Sequence, residues 1–309
     1  MRILITGASG FVGHHLVPRL KAAGHEVVAL RRGGEALSAG EIAGPADLAE
    51  LDGWSGWPSG VEAVVHLAAV NPERGSRAAA DVATMERANV EGTRALAARA
   101  ARAGVSRIVL LSTANVHSPP VTGAVVTEND PIRPQGSYAA SKAHAEEAFW
   151  AALAGSGTQG CVLRPAPVFG EGGRGNVALL RRVARLPVPL PLGGLGGPRS
   201  LVSVESLVDA IVLSLTHPGA AGETFLLADG ALVPSQIVAA LREGQGRRPA
   251  ILPGPSFLLK LLLAVVGKKQ VFDALWQSFE VDAGHARDML GWRPAAALRD
   301  ALVRFGAQD

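Results

Sequence analysis

Nothing in this chain narrows its possible folds as much as its opening passage, Met1-Arg2-Ile3-Leu4-Ile5-Thr6-Gly7-Ala8-Ser9-Gly10-Phe11-Val12-Gly13. The apolar run Ile3 to Ile5 predicts a short buried strand. Glycines at 7, 10 and 13 break it, and a helical pattern then runs to Gly24. Strand, glycine turn and helix in that order is the setting a dinucleotide fingerprint requires. Gly7 permits the tight turn, Gly10 lets a pyrophosphate approach the backbone, and Gly13 lets helix and strand pack closely. The phosphates would sit on the N–H groups from Gly10 through Phe11 and Val12, at the positive end of the helix. Glycine turns also join elements without binding anything, so the rest of the chain must supply the other parts of a nucleotide site.

The second strand, His25 to Leu30, ends in Arg31-Arg32. An acidic residue at such a strand end accepts hydrogen bonds from ribose hydroxyls in NAD-binding folds, whereas arginine suits the 2′-phosphate of NADP. A guanidinium grips two phosphate oxygens that a carboxylate would repel. NADP(H) is therefore the expected cofactor, with NAD(H) open, and the plain alternative is two solvated arginines. Pro18 removes a backbone donor inside the first helical segment and is expected to kink it.

Residues 33–60 are rich in Gly, Ser and Pro and read as a compact loop region, with Asp47-Leu48 beside the adenine and Trp54 and Trp57 as loop packing. Val61 to Ala69 contains a further buried strand whose small terminal residues Leu67, Ala68 and Ala69 suit close passage of a cofactor. His66 there reads as structural. Ala78 to Ala103 is a long helical region containing Asn89, and Arg107 to Thr113 is a strand delivering two hydroxyls to its carboxyl end, the edge at which open α/β sheets bind ligands. Helices alternating with continuous apolar strands predict an α/β, Rossmann-type doubly wound parallel sheet. From about Arg164 the chain becomes loop-rich in Pro and Gly, broken by a helix starting near Val204, and this predicts a smaller C-terminal α/β substrate lobe. The expected division is a cofactor domain of 1–163 and 201–220 and a substrate domain of 164–200 and 221–309.

Composition removes several classes of function. The net charge of +3 comes from scattered arginines, and no basic stripe with interleaved aromatics marks a nucleic-acid footprint. The longest apolar run, Phe257 to Val266, contains Lys260 and falls short of the ~20 residues that span a bilayer. It reads as a core or interface helix. Cys161 is the single cysteine, so no internal disulfide forms, and a reducing, cytoplasmic setting is expected. The chain enters a core strand at once, so no leader is expected, and no metal site is expected either.

The chain's one tyrosine falls in Tyr138-Ala139-Ala140-Ser141-Lys142. Four residues is about one helical turn, so Tyr138 and Lys142 share a face. A neighbouring ammonium lowers the phenol's pKa towards the working range of a general acid. The same lysine can hydrogen-bond a ribose.

Thr6-Gly7-x-x-Gly10-x-x-Gly13 with Tyr138-x-x-x-Lys142 resembles the extended short-chain dehydrogenase/reductase family of nucleotide-sugar enzymes. The resemblance covers nearly the whole chain. Asp47-Leu48 resembles the family's adenine-side motif, His66-Leu67-Ala68-Ala69 its cofactor-side strand end, and Asn89 its helix asparagine. Ser112-Thr113-Ala114-Asn115-Val116-His117 resembles the segment holding the catalytic hydroxyl, which maps to Thr113. Arg199-Ser200-Leu201-Val202-Ser203-Val204-Glu205 resembles the segment whose arginine grips the nucleotide diphosphate, and Asn176 is expected nearby. Arg174 and Arg164 are weaker candidates, for which structural ion pairs are as plausible. Leu290-Gly291-Trp292-Arg293-Pro294 resembles the closing motif.

What the resemblance implies is an NAD(P)-dependent oxidoreductase acting on a nucleotide sugar and dimerising through two long helices of the cofactor domain. In the family's dehydratases an Asp-Glu pair follows the catalytic Thr. Ala114 and Asn115 stand there here, so dehydration is not expected. His117 replaces a customary tyrosine and reads as a packing change. The family's 4-epimerases usually carry an acid where Arg31 stands. The chain is most similar to bacterial reductases of 4-keto-6-deoxy sugar nucleotides, among them those acting on UDP-4-keto-6-deoxy-N-acetylglucosamine in surface-polysaccharide (O-antigen) synthesis. The rivals are a 4-epimerase holding NAD tightly, an enzyme of a small non-nucleotide ketone, and a non-catalytic NADP(H)-binding sensor.

Overall fold

The computed structural model describes residues 1–33, 38–71, 81–119, 123–194, 196–254 and 278–308. The apolar run Phe257 to Val266 lies outside them. Strand β1 (Arg2–Thr6) leads through the glycine turn into α1 (Phe11–Ala22), which continues through Pro18 as one helix. β2 (Glu26–Arg32) follows. The expected loop region after it contains a short strand, β3 (Glu41–Gly44), and a 3₁₀ helix, Leu48–Gly53. Four residues of which two are Ala and Gly carry almost no strand signal, and parallel pairing to β2 is what makes them a strand.

β4 (Ala63–His66) and β5 (Arg107–Leu111) flank a helix that is interrupted once. It runs as α2 (Val82–Glu86), a π turn (Arg87–Glu91) and α3 (Gly92–Arg102). α4 (Ser137–Leu153), β6 (Gln159–Pro165), β7 (Val168–Phe169), α5 (Asn176–Ala184), β8 (Leu190–Gly193) and β9 (Arg199–Ser203) come next. The chain closes with α6 (Val204–Thr216), β10 (Glu223–Leu227), β11 (Gly230–Leu232), α7 (Pro234–Gly244), β12 (Ile251–Pro253), α8 (Gly284–Leu290) and α9 (Leu298–Ala307).

Seven parallel strands form one sheet in the order β3-β2-β1-β4-β5-β6-β10. Ile3, Ile5, Val27, Val65 and Val109 point to one face, packing with residues of α1, α6 and α8. Leu4, Val28, Leu30, Val64 and Ile108 point to the other, under α3 and α4. The sheet is thus doubly wound, as its near-continuous apolar strands predict. The strand order reverses between β1 and β4, and such a switch point opens a crevice at the carboxyl ends.

The smaller part is built differently from the expected division. β7, β9 and β11 make a three-stranded sheet, and β8 pairs with β12. A second core lies beneath α5, α7 and α9. Glu223–Leu227, expected in the substrate domain, is instead the edge strand of the large sheet, in register with Cys161–Pro165. Leu201–Ser203, expected in the cofactor domain, pairs in the small sheet. Parallel strand pairing ignores the composition change at Arg164 on which that division rested.

Candidate active site

The glycine turn is shaped by close backbone packing. Gly7 adopts φ +75°, and a Cβ there would lie 2.6 Å from the Ala68 nitrogen, at the exit of β4. A Cβ on Gly13 would lie 2.4 Å from the Ala8 carbonyl oxygen. α1 starts at Gly10 with no side-chain cap and no acidic residue in its first turn, and its first intrahelical bond is His14 N–H to the Gly10 carbonyl. The N–H groups of Phe11, Val12 and Gly13 therefore have no acceptor within the helix. This uncapped helix start and the half-buried Leu67, Ala68 and Ala69 at the switch point fit the pyrophosphate of a dinucleotide.

A chain of buried hydrogen bonds links this turn to α4. Thr93 Oγ1 donates to the Asn89 carbonyl at 2.5 Å, so the same oxygen accepts from His66 Nε2–H at 3.0 Å. His66 Nδ1 must then accept from Thr6 Oγ1 at 2.6 Å, while Thr6 Oγ1 accepts from Ala68 N–H at 3.4 Å. His66 is thereby fixed as the neutral tautomer with the proton on Nε2. Burial, with Lys142 nearby, pushes its pKa down to about 3. The structural reading of His66 fits this geometry.

Asn89 lies in the π turn, and its side chain is fully engaged. Oδ1 accepts from Val70 N–H at 2.7 Å, and Nδ2 donates to the Val70 carbonyl at 3.0 Å and to Ser141 Oγ at 2.9 Å. Ser141 in turn donates to the Tyr138 carbonyl. The amide that resembles the family's helix asparagine, expected among the cofactor-binding residues, thus fastens the β4 exit to α4.

Tyr138, the second residue of α4, is half-buried and lines a cleft of about 370 Å³. Lys142 lies one turn on, 3% exposed, with Nζ donating to the Leu111 carbonyl at 2.7 Å. Burial lowers its pKa from 10.5 to about 8, opposed by Glu146. Thr113, just past β5, caps the 3₁₀ turn Ala114–Val116 by accepting from Asn115 N–H at 3.2 Å, and its own O–H stays a donor. Asn115, His117, Gln135, Ser137, Arg199 and Phe279 line the cleft with Tyr138. Arg199 comes from the first residue of β9, and the small sheet thus brings it to the same cleft as Tyr138. Asn176 opens α5, exposed, and is not among the cleft's lining residues.

Arg164 is committed elsewhere. It forms a buried ion pair with Glu146, Nη2 to Oε2 at 2.6 Å, and donates from Nη1 to His117 Nε2 at 3.0 Å. A guanidinium only donates, so His117 is neutral, with Nδ1–H directed at the Pro131 carbonyl 3.3 Å away. Burial and the Arg164 charge lower its pKa further. His117 is therefore more than a packing change, since it joins the Arg164–Glu146 pair to the cleft wall. Ser112 Oγ also donates to Glu146. Glu146 was missed in the sequence, although Tyr138, Lys142 and Glu146 repeat every four residues along one face of α4.

Near the end of β2, Arg31 Nη1 lies 3.8 Å from Glu41 Oε1. Arg32 is exposed on the opposite face of β2. Asp47 caps the 3₁₀ helix by accepting from Ala49 N–H at 2.9 Å and pairs with Arg87, and these bonds hold its pKa below the usual value. Leu48 packs against Gly92, where a Cβ would come within 3.1 Å of it. Among the described residues no cluster of His, Cys, Asp and Glu is arranged to hold a metal, and no helix is long and apolar enough to cross a membrane.

Comparison with known proteins bears on this arrangement directly. Residues 3–228 match the model of the NAD dependent epimerase/dehydratase family. The chain is 32% identical to a UDP-glucose 4-epimerase of Vibrio cholerae over 97% of its own length and 93% of that protein's. It is 29% identical to a dTDP-6-deoxy-L-talose 4-dehydrogenase (NAD(P)(+)) of Kitasatospora kifunensis, over 97% and 93%. Among solved structures it resembles MoeE5 in complex with UDP-glucuronic acid and NAD, with a TM-score of 0.76 at 26% identity, covering 99% of this chain and 98% of that one.

Proposed function

The chain belongs to the NAD-dependent epimerase/dehydratase family of NAD(P)-dependent oxidoreductases, and from that premise we propose that it reduces the C4 carbonyl of a nucleotide-linked 4-keto-6-deoxy sugar with NADPH. UDP-4-keto-6-deoxy-N-acetylglucosamine, an intermediate for surface polysaccharide, is the substrate we assign. The observation that carries the reading is the lining of the cleft. It offers Tyr138, one helical turn from the buried Lys142, and among the described residues it offers no carboxylate. Asn115 cannot donate or accept a proton at sugar carbon, which speaks against dehydration. Both nitrogens of His117 are occupied, which leaves Tyr138 as the proton donor.

NADPH, when bound, supplies the hydride. Residues Phe11 to Gly13 would hold its pyrophosphate, Arg31 its 2′-phosphate and Lys142 a ribose hydroxyl. Tyr138 gives its phenolic proton to the C4 oxygen as negative charge gathers there, and Thr113 donates a hydrogen bond to the same oxygen. Lys142 keeps the phenol acidic through its charge. Arg199, with Asn176 from the start of α5, holds the diphosphate, so that binding energy remote from C4 orients the sugar. The dTDP-6-deoxy-L-talose 4-dehydrogenase similarity supports C4 oxidoreduction. We also propose a homodimer, in the cytoplasm.

One observation favours a second reading. The 32% identity to a UDP-glucose 4-epimerase suits a chain that oxidises and re-reduces C4 with retained NAD. Incubating the protein with NADPH and UDP-4-keto-6-deoxy-N-acetylglucosamine separates the two. Stoichiometric loss of NADPH absorbance with a 4-hydroxy product is expected. A steady NADPH signal, with UDP-sugars interconverted at C4, would replace the reductase by the epimerase.

A further inference from the structure

We infer that Glu41, on the edge strand β3, sets how sharply this chain distinguishes NADPH from NADH. The inference rests on the reading that Arg31 receives the 2′-phosphate, and it adds a second residue to that site. β2 and β3 pair with Ala29 opposite Glu41 and Arg31 opposite Ala43. Residues two apart in a strand share a face, so Glu41 lies diagonally across from Arg31 on one side of the sheet. Their charged ends are 3.8 Å apart, and the side chains are only 33% and 22% exposed.

Among the described residues, the carboxylate on the other face is already engaged. Asp47 is occupied by Ala49 N–H and Arg87, and it lies towards Arg32 on the opposite face. Among the described residues, Glu41 is thus the carboxylate that shares Arg31 with an incoming anion. A 2′-phosphate carries roughly −1.5 to −2 charges at neutral pH. Drawn to Arg31, it enters the field of a half-buried carboxylate a few ångströms away, and the repulsion offsets part of the guanidinium's attraction. A cofactor with a plain 2′-hydroxyl meets no such repulsion, and Glu41 remains available to accept a hydrogen bond from it. The pair therefore tempers the preference that Arg31 alone would impose, and the native chain binds both cofactors with a modest bias to NADPH.

The test is calorimetric titration of the full chain with NADPH and with NADH, without sugar substrate. Glu41→Gln keeps the side-chain shape and removes the charge. It should tighten NADPH about tenfold and leave NADH within about twofold. Arg31→Gln should weaken NADPH about tenfold or more, and in the Arg31→Gln, Glu41→Gln double variant the gain from losing Glu41 should be at least as large as in the native background, because the carboxylate repels the phosphate even more once its partner has gone. An unchanged NADPH affinity in Glu41→Gln, beside a weakened one in Arg31→Gln, would overturn the role of Glu41 and leave that of Arg31 standing. An unchanged NADPH affinity in Arg31→Gln would overturn both together.

Discussion

Lys142 and His66 are both buried nitrogen bases near the carboxyl edge of the large sheet, yet burial leaves them in different charge states at neutral pH. Lys142 titrates at about 8 and His66 at about 3. Below pH 8 the ammonium is present to hold the phenol acidic, and above it the charge is lost. The rate of carbonyl reduction should therefore fall along a basic limb centred near pH 8, read from initial rates across pH 6–10. A profile flat to pH 9.5 would remove Lys142 from that role. For His66 the sign runs the other way. Its folded pKa lies below the unfolded value near 6.5, so the unfolded chain takes up a proton that the folded chain excludes. Stability should fall as pH drops below about 6.5, with a slope approaching about 1.4 kcal/mol per pH unit from this residue. Urea unfolding at pH 7 and pH 5 measures it, and His66→Gln should flatten the difference. The Tyr138/Lys142 pair could be read in the sequence because its spacing is local. The full engagement of Asn89 and Arg164 could not, because their partners are 19, 52, 18 and 47 residues away.

Helix α4 carries Tyr138, Lys142 and Glu146 on one face, and the third of these anchors it. Glu146 ties the helix to β6 through Arg164 and to the end of β5 through Ser112. Replacing Glu146 with Ala strands a guanidinium that is 6% exposed, a change that costs about 3–5 kcal/mol for a broken buried pair. The denaturation midpoint in urea should drop accordingly, and a loss under about 1 kcal/mol would show that water or a neighbour replaces the carboxylate. The helices were legible where the apolar period was regular, as in α1 and α6. The π turn within the long helical region was not, because it inserts one residue per turn without changing composition. Its reason is visible only in three dimensions, where it aims Asn89 at Val70 and Ser141.

For the whole molecule, the parallel sheet and its switch point followed from the alternation of apolar strands and helices, while the boundary between the parts did not. Composition changes once along the chain, at Arg164, but the chain crosses between the two structures several times. Residues 278–308 make the last crossings. Val281 bridges to Val126, Phe279 to Arg199, α8 packs on the large sheet and α9 on α7. Trp292 is fully buried among residues of α1 and α6, with Nε1–H donating to the Ser206 carbonyl at 2.9 Å, and Ser206 Oγ accepts from Ala295 N–H. The tail is therefore part of both cores, and removing its main anchor loosens each. Trp292→Ala should cost about 3–5 kcal/mol through the cavity and the lost hydrogen bond. Because one segment serves both cores, far-UV circular dichroism and the fluorescence of the remaining tryptophans should report the same lowered midpoint. Two separated transitions in the variant would mean that the sheet and the smaller part unfold independently, with the tail belonging to only one of them.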